Sequence, residues 1–407
     1  MSNRHGVTIH TAKFVRSTLL AIGTGLLAVA LCLQLIGSVQ AQNIYAYEYP
    51  DPELYEQAEV AQLQLAAAIA DLQDVKDQNN GIESDAQMYG FSWLLFELLM
   101  AELGDNRFFE SMRPINSIYL PNGERPPKQA PIDLPEPVLA YAARYNIPSS
   151  VIWHDLDTVV KVSGLALKDK WNQNVRYALR MNVDMFDYIL ANGLFRANGL
   201  LTAGQIKFPD TSMELKTSWI WINNGAQYNE LRDKYYIAYA YYKAEDGSYR
   251  VGRAALSGIH IVPKIQPGWV WITFENIHNA TFTEASYELP INIELSLIND
   301  AEQLALADLG SVLANYQLNG VQTQEVQNGK PVVLANSQIE SFFQQHSSCK
   351  TCHAIAAYKS TPRLQFHNIV NRTGNGTSYY TGTPPPISDW KSMDFSWSLK
   401  RAQWHRP

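Results

Sequence analysis

Cysteine is scarce in this 407-residue sequence, which contains three. One of them, Cys32, lies in an apolar N-terminal run, so only Cys349 and Cys352 remain for the rest of the chain. An exported protein normally uses spare cysteines in disulfides. Here both belong to one short motif, so we expect no disulfide framework.

Runs of basic residues are also missing. The chain carries 32 Lys and Arg against 39 Asp and Glu, a formal net charge of −7. This balance argues against nucleic acid and anionic membrane surfaces as partners. The sequence has no nucleophile elbow, P-loop, dinucleotide fingerprint or zinc-protease motif, so no motif indicates any of these enzyme classes.

The N-terminus has the pattern of a secretory signal. Arg4, Lys13 and Arg16 precede a largely apolar run over residues 17–37, and Val-Gln-Ala at 39–41 resembles a cleavage site. The apolar run is long enough for an uncleaved anchor, which is the alternative. We predict cleavage near Ala41, a periplasmic mature chain and no stable membrane span after cleavage.

The segment HSSCKTCHAIAAY, residues 346–358, contains the strongest motif. The order Cys349, two residues, Cys352, His353 is the attachment pattern of a c-type haem. Two thiols bond to the haem vinyl groups, and the histidine is the proximal iron ligand. A thioredoxin-like pair would need a βαβ context, and a zinc site would need a fourth ligand. We therefore predict one covalent haem c held by these three residues.

The flanks of the motif predict a cytochrome c-like module over residues 331–407. Asn336 or Ser337 can cap a helix that enters the motif, and MDFSWSLKRAQW can form a closing helix. Residues at rough helical spacing in or just before these two segments are Ile339, Phe342, Phe343, Trp390, Phe395 and Leu399.

The sequence does not identify the sixth iron ligand. Met393 lies before the expected closing helix, where a thioether would raise the reduction potential. It could equally fill a gap in the core. His367 and His346 are rivals, and the sixth site could also be open or filled from another domain.

The preceding residues, 42–330, predict an α+β body with N-terminal helical segments and a central antiparallel sheet. Residues 55–72 and 90–103 have helical patterns, and Asn182 can cap the helix VDMFDYILAN. Four β-rich runs follow: MELKTSWIWI, KYYIAYAYY, RVGRAALSGIHIV and GWVWITFE.

The last two runs predict a hairpin that pairs His260 with Trp271. One face would then look like core, and the other could line a pocket. The core face is Ile259, Ile261, Val270, Ile272 and Phe274; the other is Gly258, His260, Trp269, Trp271, Thr273 and Glu275. His260 and Glu275 are candidates for a proton-transfer pair. A hydrogen-bonded structural histidine and tryptophans that merely pack are the alternatives.

Several segments together resemble exported bacterial monohaem proteins called cytochrome c family proteins, which are defined by a single C-terminal haem. These segments, in order, are SWLLF, IYLPNGERPP, VRYALRMNVDMFDYILANGLF, IKFPDTSMELKTSWIWI, SGIHIVPKIQPGWVWITFEN, LANSQIESFFQQHSSCKTCHA and MDFSWSL. The resemblance implies the haem role for Cys349, Cys352 and His353. Pro263 and Asn276 stand where that pattern suggests histidine, and the pattern does not favour methionine at position 393.

Three functions fit these patterns. The first is one-electron transfer, with the body binding a small molecule or positioning a redox partner protein or small-molecule donor or acceptor. The second is a haem oxidoreductase, peroxidase-like or oxidising a small substrate, with an open sixth site assisted by His260 and Glu275. The third is a ligand-binding or sensory protein that uses the haem as its reporter.

Overall fold

A computed structural model describes residues 85–128, 134–162, 165–360, 363–373 and 376–405. The predicted signal at 1–41 and the predicted helix at 55–72 lie outside these residues. In the described residues, no helix has the length and apolar character that a membrane span requires.

The described chain is α+β. Its α-helices are α1 (Asp85–Leu99), α2 (Glu136–Arg144), α3 (Val183–Ala191), α4 (Ala197–Thr202), α5 (Gly225–Leu231), α6 (Asn279–Phe282), α7 (Ile293–Asp308) and α8 (Cys349–Ala354). The strands are β1 (Glu102–Leu103), β2 (Asn106–Arg107), β3 (Arg113–Pro114), β4 (His154–Asp155), β5 (Lys161–Val162), β6 (Leu165–Ala166), β7 (Arg176–Met181), β8 (Met213–Ile222), β9 (Ile237–Lys243), β10 (Tyr249–Pro263), β11 (Trp271–Asn276), β12 (Tyr316–Gln322), β13 (Val326–Gln327), β14 (Lys330–Pro331), β15 (Ala357–Lys359), β16 (Gln365–Phe366), β17 (Val370–Thr373), β18 (Gly376–Tyr379) and β19 (Lys391–Ser392).

Local sequence explains helix α3, which forms where it was predicted. The side chain of Asn182 accepts a hydrogen bond from Met185 N at 3.3 Å and so caps the first turn. Apolar residues at helical spacing, including Phe186 and Ile189, are buried on one face. Gly193, with φ of 66°, follows the last turn and lets the chain leave the helix.

The main sheet confirms the predicted antiparallel body. Within the described residues it has eight strands, with the path β12–β11–β10–β8–β7–β3 and with β9 beside β10 and β4. Its pairs are antiparallel except for β4 with β9. The long strand β10 pairs with β9 through its first half and with β11 through its second, and a register shift separates Leu256 from Gly258 on its β8 side. Strand β10 therefore joins the two parts of the sheet.

One face of this sheet is core, as its aliphatic residues predicted. Ile259, Ile261, Ile272 and Phe274 are buried in a cluster with helices α1 and α7. The ring of Phe274 stacks on Phe96 of α1 with centroids 4.3 Å apart. Helix α1 begins at Asp85 and ends at Leu99, so it starts and stops earlier than the predicted 90–103.

The C-terminal segment differs from the predicted, mostly helical module. Its described residues form the six-residue helix α8, short 3-10 turns and the small strands β15 to β19. The expected helix after Asn336 does not form: residues 337–343 make turns, and the side chain of Gln344 bonds to Glu288 N and Ser286 O of the body. The expected closing helix is interrupted by Asp394 and Phe395, whose φ angles of 50° and 68° are incompatible with an α-helix. It is reduced to a 3-10 segment, Trp397–Arg401.

This C-terminal segment and the sheet share one hydrophobic cluster. Cys349, Met393 and Leu399 from the segment pack with Val262 and Trp271 from the sheet. The face of the sheet that was predicted to line a pocket is therefore covered by the chain around the CxxCH motif.

Candidate functional site

The two cysteines and the histidine of the motif lie on helix α8. Their spacing of three and four residues places Cys349, Cys352 and His353 on one side of a helical turn. Gln322 of strand β12 fixes the start of the helix, because its Oε1 accepts a hydrogen bond from Lys350 N at 3.1 Å. Thr351 anchors the helix on its other side by donating from Oγ1 to Gly382 O at 2.6 Å.

Both cysteines are buried free thiols. The Sγ atom of Cys349 lies 3.7 Å from Leu334 O, and that of Cys352 lies 3.4 Å from Tyr380 O. Burial raises the pKa of the Cys352 thiol to about 11 and that of Cys349 well above its usual value. Both are therefore neutral at pH 7, and carbonyl oxygens fix their directions.

A backbone carbonyl fixes the orientation of the His353 imidazole. Its Nδ1 lies 2.7 Å from the carbonyl oxygen of Phe395. Because a carbonyl oxygen can only accept, Nδ1 carries the proton and Nε2 keeps its lone pair. Removal from bulk water lowers the pKa of His353 to about 4, although the bond to Phe395 opposes this. The imidazole is neutral at pH 7, as a metal ligand must be.

The accessible part of His353 lines a cavity of about 410 Å³ between the sheet and the C-terminal segment. This volume falls within the usual range of small-molecule sites, about 300–1,000 Å³. The floor comes from strands β7, β8, β10 and β11, and the opposite wall comes from His353 and the residues around Trp397. The Trp271 ring contacts the His353 ring, with centroids 4.2 Å apart.

His260 lies on the cavity floor, as the sorting of the two strand faces predicted. It pairs with Lys216 of β8 on one side and with Thr273 of β11 on the other. The predicted partner was Trp271, so the true register differs by two residues. A shift of two preserves the faces, because side chains alternate with a period of two.

The carboxylate beside His260 is Glu340, which the sequence reasoning did not identify. Its Oε2 lies 3.3 Å from His260 Nε2, within ion-pair distance but without hydrogen-bond alignment. Burial alone would raise the pKa of Glu340, but His260 and Lys216 outweigh burial and lower it overall. Glu340 follows Asn336 in an irregular segment, so no periodic pattern linked it to the sheet.

Glu275, the other predicted member of the proton-transfer pair, does not line the cavity. Its carboxylate accepts hydrogen bonds from Asn319 Nδ2 at 2.5 Å, from Asn279 Nδ2 at 3.5 Å and from the Ser337 hydroxyl. Glu275 pairs with Gly258, two residues away from His260 along β10. The structure therefore does not bring His260 and Glu275 together as a pair.

The candidate sixth ligands also lie away from the cavity lining. Met393 is fully buried, and its N–H donates to Ala356 O at 2.7 Å. The Nδ1 of His367 is 3.0 Å from Asn368 O, and His346 is exposed in a 3-10 turn. Their roles as iron ligands stay predictions.

Among the described residues, no three His, Cys, Asp or Glu side chains form a cluster that could hold a bare metal ion. Comparisons with protein-family models, curated proteins and solved structures give no match.

Proposed function

We propose that this chain is an exported c-type haem protein that transfers single electrons and binds a small molecule in the cavity beside its haem. Cys349 and Cys352 would hold the haem covalently, and Nε2 of His353 would bind the iron. The observation that carries the proposal is the bond from His353 Nδ1 to Phe395 O, because it leaves Nε2 free to coordinate.

The motif and its surroundings fit a haem in two further respects. Both thiols are free, neutral and on the same side of helix α8 as His353. The cavity next to His353 is lined by three tryptophans and one phenylalanine, which suit an aromatic group; they are Trp269, Trp271, Trp397 and Phe395. A bound haem would supply one-electron redox chemistry at iron.

The chain's own residues would orient and protect this group. Phe395 O holds the imidazole plane, and the indole of Trp271 packs against the imidazole. An electron donor or acceptor would be a partner protein or a small molecule.

Cys352→Ala, produced with a haem-maturation system, tests the attachment. The variant should lose stable two-point attachment, which a pyridine haemochrome spectrum reports. Thr351→Ser is the matched control within the motif, because it keeps the hydroxyl that donates to Gly382 O. An unchanged haemochrome spectrum in Cys352→Ala would refute the c-type assignment.

A haem oxidoreductase with an open sixth site is the second candidate. The position of Met393 favours it, since Met393 does not line the cavity that His353 faces. His260 could then hold or release a proton beside Glu340. A carbon monoxide titration of the reduced protein separates the two candidates. An absorption spectrum that carbon monoxide leaves unchanged supports electron transfer alone. A shifted spectrum supports the open sixth site.

A further inference from the structure

Two buried hydrogen-bond donors in the cavity wall have no acceptor. The indole nitrogens of Trp269 and Trp271 make no hydrogen bond, although the two residues are only 2% and 4% exposed. Buried polar groups are almost always paired, so an unpaired donor beside a cavity points to a ligand that accepts from it.

The positions of both indoles are fixed by the fold. Trp269 has a φ angle of 56°, and its backbone N–H donates to Gln266 O at 2.9 Å. Its ring meets Phe208 edge to face, with centroids 5.9 Å apart. Trp271 is held against His353. These donors are therefore arranged before any ligand binds.

The charges on the cavity wall favour an anion. Three cationic side chains, Lys216, Lys400 and Arg401, line the cavity with one carboxylate, Glu214. Glu214 already accepts from the hydroxyl groups of Ser396 at 3.2 Å and Ser398 at 2.5 Å. A positive lining with free N–H donors suits acceptor oxygens that carry negative charge.

Lys216 is the most enclosed of these cations. Within the described chain it forms no ion pair, and its Nζ lies 5.6 Å from the centre of the Tyr177 ring. Burial lowers its pKa, while the more distant Glu340 and Glu214 oppose this. Lys216 is half-buried and has no contacting anion, so an anion bound in the cavity would offset the cost of its burial.

We infer that the cavity binds a carboxylate group, whose oxygens accept from the indole N–H groups of Trp269 and Trp271 and whose charge is balanced by Lys216 and Arg401. The carboxylate has two possible sources, a propionate of the covalent haem or a small free carboxylate. Only the first source rests on the proposed function. Binding of a carboxylate by the haem-free chain does not depend on the proposed function.

The experiment uses the full-length chain, prepared with and without haem maturation, and acetate as the probe. Saturation-transfer NMR on the acetate methyl signal measures binding in both preparations, and acetamide is the neutral control of the same shape. In the haem-free chain, acetate but not acetamide should bind. Lys216→Gln should weaken acetate binding by about tenfold or more, the size of effect expected when one charged contact is lost.

Trp269→Phe and Trp271→Phe test the donors while preserving most of the packing. Each should weaken acetate binding and remove one indole signal that shifts with acetate in the ¹⁵N spectrum of the haem-free chain. Circular dichroism confirms that the variants fold. No acetate binding by the haem-free chain, equal binding of acetamide, or unchanged binding in all three variants would overturn the inference.

The preparation with haem identifies the source. If acetate no longer binds once the pyridine haemochrome shows attached haem, a propionate occupies the site. If acetate still binds, the ligand is a free carboxylate. If the haemochrome shows no haem, the proposed function fails, but the haem-free measurement still decides the inference.

Discussion

The free energy of unfolding should fall as the pH rises, because Glu275 is buried without a cation. Its carboxylate is held by side chains of Asn319, Asn279 and Ser337 and by Ser337 N at 3.2 Å. Burial raises its pKa from 4.5 to about 7, and these hydrogen bonds lower it by less than burial raises it. The folded state therefore favours the protonated form.

The size and the direction of the effect follow from this shift. A rise from 4.5 to about 7 corresponds to about 3 kcal/mol, because one pKa unit is worth about 1.4 kcal/mol. A folded pKa above the unfolded value gives stability that is fully present below the unfolded pKa and is lost as pH rises through the folded pKa. Glu275 should therefore stabilise the protein below about pH 4.5 and cease to do so above about pH 7.

Urea unfolding between about pH 5 and pH 9 measures this loss, with the free energy taken from linear extrapolation. The parent protein should lose up to about 3 kcal/mol more than Glu275→Gln over this range, since glutamine does not titrate. Glu97→Gln is the matched control, because burial and Glu302 raise the pKa of Glu97 to about 7 on a different element, helix α1. Glu97→Gln should retain the decrease in unfolding free energy with pH that Glu275 causes. Parallel pH curves for the parent and Glu275→Gln would refute the reasoning.

Three further changes have defined outcomes. Lys264→Met should destabilise the protein by about 3–5 kcal/mol in urea, because it leaves the half-buried Asp394 carboxylate, 2.5 Å from Lys264 Nζ, without its cation. A loss below about 1 kcal/mol would show that solvent already screens the pair. Gly258→Ala should lower the melting temperature by a few degrees, since a Cβ there would lie 2.9 Å from neighbouring side-chain atoms, whereas Gly204→Ala, with open space around it, should not. Met393→Leu should leave the absorption spectrum of the haem-loaded protein unchanged if the sixth site is open, and a shift toward high spin would make Met393 the ligand.

The alternation along the strands predicted the cavity floor well but not the exact pairs. His260 and Trp271 share a face in the structure as expected, yet His260 pairs with Thr273. The connection between the strands runs from Pro263 to Val270, since Val270 N donates to Pro263 O at 3.0 Å, and Trp269 within it adopts a positive φ. Periodicity sorts the two faces, but the length of a turn with such a residue is set by tertiary contacts.

The helical spacing near the motif was misleading for a related reason. Asn336 does begin a turn, and Ile339 N and Glu340 N both bond to its carbonyl. The side chain of Asn336 then inserts over Gly258 and donates to Thr273 Oγ1 at 3.0 Å and Phe274 O at 2.9 Å. Contacts between residues more than sixty positions apart outweigh the weak local preference for a helix. The same contacts bring Glu340 beside His260, which no local pattern could show.

The polar contacts of the C-terminal segment argue that the motif and the body act as one site. Asp394 binds Lys264, and the next residue, Phe395, provides the carbonyl that orients His353. A lysine of the body therefore fixes the turn that sets the direction of the predicted iron ligand. An electron-transfer tail would not need such a link, whereas a protein that couples its haem to a ligand on the sheet would. The position of His353 should then respond to any ligand that moves the strand connection bearing Lys264 and Trp269, and in a haem-loaded protein such a movement would alter the surroundings of the iron.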